Sequence, residues 1–82
     1  MVSSKFIMDI LEEADGYNQA VPLETIFLMA KEKGVTNRRS VAAKILRLKF
    51  DGEIMEPAVK KFKLWTTKRL PVTSMDIESL LA

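Results

Sequence analysis

The stretch that decides the fold is residues 35–66, which read VTNRRSVAAKILRLKFDGEIMEPAVKKFKLWT. Its first half has the apolar spacing of an amphipathic helix, because Val41, Ile45 and Leu48 fall on one side at about 100° per residue. We expect this helix over residues 38–51, with basic residues on its outer face.

The second half of the stretch loses the helical period after Gly52. Residues 53–56 and 62–66 are typical of two β-strands, and residues 57–61 separate them as a loop. Phe50 lies outside the apolar stripe of the helix, so we expect it to pack beneath the hairpin. The stretch therefore predicts a helix followed by a β-hairpin.

Two further helices are predicted upstream, over residues 4–15 and 22–33, with Gly16 and Gly34 as left-handed stops. Residues 17–21 between them are expected to form a brief strand that pairs with the hairpin. The apolar stripes of these helices are Phe6, Ile7, Ile10, Leu11 and Ala14 in the first, and Leu23, Ile26, Phe27 and Ala30, widened by Leu28 and Met29, in the second.

Two helices joined by a short turn, the second basic on its outer face, form the helix-turn-helix pattern, and the hairpin adds a wing. The sequence thus predicts an α+β, mainly α, fold of the winged helix-turn-helix class, with three helices and a two- or three-stranded β wing. Its 82 residues suffice for one domain. We place that domain at residues 1–66 and a C-terminal tail at residues 67–82.

Charge is distributed unevenly along the chain. Residues 1–30 carry a net charge of −4, residues 31–69 carry twelve basic against four acidic residues for a net +8, and residues 70–82 carry −2. A localised basic block is the electrostatic footprint of a protein that binds a polyanion. A solvated basic face without a partner is the alternative.

Several function classes conflict with the composition. The chain has no Cys and no His, which argues against disulfides, thiol nucleophiles, zinc sites of the usual kind and histidine acid–base chemistry. Its three glycines are eighteen residues apart and form no phosphate-binding loop. We expect no enzyme, no cofactor or metal and no small-molecule substrate.

No apolar run approaches the roughly 18 residues of a membrane span, so we expect a soluble, cytoplasmic protein.

Duplex DNA is the expected partner, because cations on a helix of this kind neutralise phosphates while its outward side chains reach base edges. Phosphate contacts should dominate, since Arg47 alone is a strong bidentate donor that points clearly outward. An alternative role for Arg38 is to cover the apolar stripe of the helix with its side chain. Trp65 either stacks on a base or packs in the wing. The candidate DNA-binding residues are Arg38, Arg39, Ser40, Ala43, Lys44 and Arg47 on the helix, and Lys60, Lys61 and Lys63 on the wing.

The tail contains a short apolar stripe of Met75, Ile77, Leu80 and Leu81. So short a segment is not stable as an isolated helix and must dock to stay folded. We expect it to bind its own domain, a second copy of the chain, or a partner protein such as a replication factor.

Residues 41–64 resemble the C-terminal winged-helix domain of archaeal MCM replicative helicases. The similarity is carried by ILRLKFDGEIMEP at residues 45–57 and FKL at residues 62–64. Two departures are a wing without glycine and the sixteen residues that follow Thr66. The resemblance implies an accessory role in DNA replication, and it carries over no catalytic residue. The function expected of the chain is that of an accessory factor in DNA replication or transcription. The alternative is a protein-interaction winged helix that acts as an accessory subunit and docks through its tail.

Overall fold

The computed structural model describes residues 2–65, which form a small α+β unit of three helices and a three-stranded antiparallel sheet. This architecture is consistent with the arrangement expected from the sequence. The predicted boundary at residue 66 and the tail lie outside the described residues. The elements in chain order are α1 (Ser4–Glu13), β1 (Val21–Pro22), α2 (Leu23–Glu32), α3 (Arg38–Phe50), β2 (Ile54–Ala58) and β3 (Lys61–Leu64).

Side-chain caps fix the starts of two helices. The Ser3 hydroxyl accepts a hydrogen bond from the Phe6 backbone N–H at 3.1 Å, and the Asn37 side chain accepts one from the Ser40 N–H at 3.2 Å. Each cap satisfies a backbone donor that has no partner within its helix. Among residues 2–65, no helix is long and apolar enough to cross a membrane.

The end of α1 differs from the prediction. The left-handed residue is Asp15, with φ of 61°, and not Gly16. Gly16 is required for a different reason, because a Cβ at this position would lie 2.7 Å from the Leu11 carbonyl oxygen. Its own carbonyl accepts a hydrogen bond from the Leu64 N–H at 2.8 Å, which ties the end of α1 to the sheet.

The central strand of the sheet is β3, which pairs with β1 on one side and β2 on the other. The connection between β2 and β3 is shorter than the loop predicted over residues 57–61, because the turn consists of Val59 and Lys60 alone. Lys60 adopts a left-handed φ of 58°. An irregularity between Met55 and Ala58 shifts the register of β2. Pro57 lies within it, where a missing N–H is tolerated.

The core combines one face of each helix with the inner face of the sheet, and the stripe of α3 is confirmed, since Val41, Ile45 and Leu48 are all buried. The prediction for Phe50 is wrong, because this side chain is 91% exposed. Leu28 does not widen the buried stripe of α2 either, because it is 63% exposed. The buried apolar residues are Val2, Ile7, Ile10, Leu11, Val21, Ile26, Ala30, Val41, Ile45, Leu48, Ile54, Phe62 and Leu64.

Candidate nucleic-acid interface

The packing of α3 determines which of its side chains face solvent. Its buried residues recur at three- and four-residue intervals, so the opposite side of the helix is turned away from the core. The residues directly opposite the buried stripe are all exposed. We call them the outer ridge, and they are Arg39, Ala43, Leu46 and Phe50.

The outer ridge changes character along the helix. Its N-terminal end carries the guanidinium group of Arg39, and its C-terminal half is apolar, with Leu46 59% exposed and Phe50 91% exposed. Together with Ala43 and Arg47, these two side chains line a shallow depression on the surface. Sequence reasoning missed Leu46 and Phe50 as surface residues, although both fall outside the apolar stripe of α3.

One flank of α3 is partly covered by the N-terminal segment. Val2 is buried and lines a shallow hollow with Ser40, Ala43, Lys44 and Arg47. Ser40 and Lys44 are half-buried as a result, whereas Ala43 and Arg47 are exposed. Of the predicted DNA-binding residues on α3, Ser40 and Lys44 are therefore less accessible than the sequence pattern indicates.

Arg38 is held by α2. Its guanidinium carbon lies 5.0 Å from the centre of the Phe27 ring, and one of its nitrogens lies 3.6 Å from a Glu24 carboxylate oxygen. The first contact is a cation–π interaction, and the second is an ion pair between exposed groups. Arg38 thus has partners within its own protein. Its contact with the Phe27 ring agrees with the alternative role, in which Arg38 covers apolar surface.

Two other cations of α3 are paired with acids. Arg47 lies 3.3 Å from Asp51 one turn further along the helix, and the Lys49 ammonium donates a hydrogen bond to Glu56 on β2. The Arg47 pair is exposed on both sides, and such pairs stabilise a protein by at most about 1 kcal/mol. A phosphate group can replace Asp51 at little cost, so Arg47 remains available to an anion.

Lys63 differs from the other wing lysines. It is half-buried, and its ammonium group donates a hydrogen bond to the Tyr17 carbonyl oxygen. This contact ties β3 to the segment that follows α1. Lys63 therefore has a structural contact that Lys60 and Lys61 do not share.

The hairpin tip is fixed by backbone contacts and leaves its lysines exposed. The Lys60 N–H donates to the Glu56 carboxylate at 2.8 Å, and the Lys60 carbonyl accepts from the Leu23 N–H, also at 2.8 Å. These contacts place the tip against the first turn of α2. The hydrogen bonds from Lys49 and from the Lys60 backbone hold the pKa of the Glu56 carboxyl below its ordinary value.

Four of the predicted DNA-binding cations have side chains with neither an ion pair nor a hydrogen bond within residues 2–65, namely Arg39, Lys44, Lys60 and Lys61. The side chain of Arg38 on α3 and the lysines of the hairpin tip share neighbours on α2. Glu24 and Phe27, which contact Arg38, also line a hollow with Lys60 and Lys61. The Arg38 side chain and the hairpin tip therefore both border Glu24 and Phe27 of α2. This arrangement can attract an extended anion.

Within the part of the chain that the structure describes, no group of three acidic side chains is placed to hold a metal ion.

Comparison with known proteins adds nothing to this geometry, since no family model, curated protein or solved structure matches the chain.

Proposed function

We propose that this chain is a non-enzymatic DNA-binding protein of the winged-helix class, which binds duplex DNA mainly through phosphate contacts. The observation that carries the proposal is the set of four cations on α3 and at the hairpin tip whose side chains have no ion pair or hydrogen bond within residues 2–65. They lie within a segment of net charge +8, whereas the flanking segments are acidic. Cations of this kind release counterions from DNA when they meet its phosphates.

Phosphate contacts are favoured over base readout by the side chains of α3. The outer ridge offers one guanidinium group, at Arg39, and its remaining residues are Ala43, Leu46 and Phe50. A methyl group such as that of Ala43 suits a thymine methyl, but bidentate base contacts need donors or acceptors. We therefore propose binding with little sequence preference.

The proposed cellular role is that of an accessory factor in DNA replication or transcription. It rests on the resemblance of residues 41–64 to the winged-helix domain of archaeal MCM helicases. A protein-interaction module is the second candidate, and the specific observation in its favour is the apolar half of the outer ridge. Exposed apolar patches on small domains often mark protein contacts.

Titration of a labelled DNA duplex by fluorescence anisotropy, at several salt concentrations, tests the proposal. Four phosphate contacts predict a slope of about −3 to −4 for log K against log [salt]. Duplexes of unrelated sequence should bind with similar affinity. Absence of binding at low salt, or an affinity that does not change with salt, would overturn the DNA-binding proposal and favour the protein-interaction candidate.

A further inference from the structure

The apolar half of the outer ridge is the surface feature that phosphate binding does not explain. Leu46 and Phe50 are large, exposed and adjacent on α3, one helical turn apart. A phosphate backbone makes no favourable use of such side chains. Water exposure of this apolar surface is unfavourable, at roughly 25 cal/mol per Å².

We propose that the outer ridge is the docking surface for residues 75–81 of the same chain, so that this segment and DNA compete for α3. The inference concerns the regulation of the proposed DNA-binding site and rests, in that part, on the proposed function. The docking part of the inference does not require that the protein binds DNA.

Charge complementarity is the first argument for this occupant. The ridge and its flanks present Arg39 and Arg47 beside apolar side chains. Residues 70–82 have no basic residue and carry the two acids Asp76 and Glu78. Interspersed with these acids are Met75, Ile77, Leu80 and Leu81, which supply the apolar surface to cover Leu46 and Phe50. Acidic and apolar groups on one side thus match basic and apolar groups on the other.

The place where the described chain ends is the second argument. Leu64 pairs with Ile54 in the sheet, and Ile54 lies four residues after Phe50. The chain therefore leaves the sheet beside the C-terminal end of α3, where the ridge is apolar. The residues between Trp65 and Met75 can span up to about 33 Å when extended. A 13-residue helix is about 20 Å long, so the connection reaches any part of the ridge.

The absence of cysteine makes a direct test straightforward, because one introduced thiol gives a unique labelling site. In the 82-residue chain with Ser79→Cys carrying a nitroxide spin label, the amide NMR signals of residues 43–50 should be the most strongly broadened among residues 2–65 and those of α1 the least. The double variant Leu46→Ser/Phe50→Ser should abolish this pattern. Both side chains are exposed, so the fold should persist. Leu28→Ser, which removes an exposed leucine from α2, is the matched control and should leave the pattern unchanged.

Three outcomes overturn the inference. One is no preferential broadening on α3, and another is a pattern that survives the loss of Leu46 and Phe50. The third is equal broadening when spin-labelled chains are mixed with isotope-labelled chains without the thiol, because a second copy would then be the occupant.

The competition with DNA gives a second readout. Docking on about two thirds of the molecules would weaken the apparent DNA affinity about threefold, since only the free fraction binds. Leu80→Ser/Leu81→Ser should therefore raise duplex affinity about threefold. If affinity is unchanged while the ridge signals are broadened, the competition is overturned and the docking stands. If the chain binds no DNA at all, the proposed function fails and the broadening result still decides the docking.

Discussion

At the scale of single residues, two backbone positions determine how the small core closes. Gly16 donates to the Leu11 carbonyl at 2.7 Å and accepts from Leu64, so it joins the end of α1 to the central strand. Lys60 closes the hairpin in a left-handed conformation without being glycine. Both positions are sensitive to substitution, but in opposite directions.

We predict that Gly16→Ala destabilises the protein by about 1–3 kcal/mol, because the added methyl group would lie 2.7 Å from a backbone oxygen. Urea denaturation followed by circular dichroism measures the change. Gly52→Asn is the comparison, since Gly52 has a φ of 78° but open space around it, and asparagine tolerates that conformation. A cost for Gly16→Ala no larger than that for Gly52→Asn would show that the close contact does not constrain the fold.

Lys60→Gly is predicted to separate stability from DNA binding. Relief of the left-handed strain should stabilise the fold by up to about 1 kcal/mol, whereas loss of the ammonium group should weaken duplex binding. Thermal unfolding and a duplex titration on the same variant measure the two effects. Lys61→Gln, which removes an adjacent charge without changing backbone freedom, should weaken binding with no gain in stability. Unchanged DNA affinity in both variants would remove the hairpin tip from the interface.

At the scale of elements, the amphipathic pattern predicted the helices well because burial follows the helical period. The stripe of α3 could be read from the sequence for this reason. The sheet was harder to predict, since its register depends on an irregularity around Pro57 and on a two-residue turn without glycine. Neither feature has a distinctive local signal.

Contacts between residues far apart in the sequence could not be predicted at the site. The charges of Arg38 and Lys63 are evident in the sequence, but the partners of these side chains are not. Glu24 and Tyr17 lie 14 and 46 residues away from the cations they contact, so only the folded chain brings them together. Phe50 was misplaced because a large aromatic beside a hairpin usually packs under it, whereas the stripe of α3 had already oriented position 50 outward.

The link between α3 and the hairpin is predicted to respond to acid. Because contacts with Lys49 and the Lys60 N–H lower the pKa of Glu56 in the folded state, the folded protein binds fewer protons there than the unfolded chain. This contribution is present above the ordinary glutamate pKa of about 4.3. It is lost as the pH falls from there through the lowered folded-state value.

Urea midpoints measured between neutral pH and the acid limb should therefore fall less steeply for Glu56→Gln than for the unmodified chain. Glu32→Gln, at the exposed end of α2, is the control and should retain the original acid slope. Equal acid slopes for all three proteins would contradict a role for Glu56 in holding the hairpin to α3.

At the scale of the whole molecule, the fold separates charge by position. The acids of the first segment lie mainly on α1, while the cations concentrate on α3 and the hairpin. A domain with such a layout can orient itself in the field of a polyanion before contact. The apolar half of the outer ridge adds a second surface on the same helix, which is why DNA and residues 75–81 are proposed to compete there.

The salt dependence of duplex binding by charge-neutralised variants tests the central claim most directly. If Arg39 and Lys61 each contact a phosphate, Arg39→Gln/Lys61→Gln should reduce the magnitude of the slope of log K against log [salt] by about two. Lys33→Gln, which removes a cation paired at 2.9 Å with Glu13 on α1, should leave the slope unchanged. An unchanged slope in the double variant, or an equal loss per charge in Lys33→Gln, would contradict the claim that α3 and the hairpin tip hold the DNA.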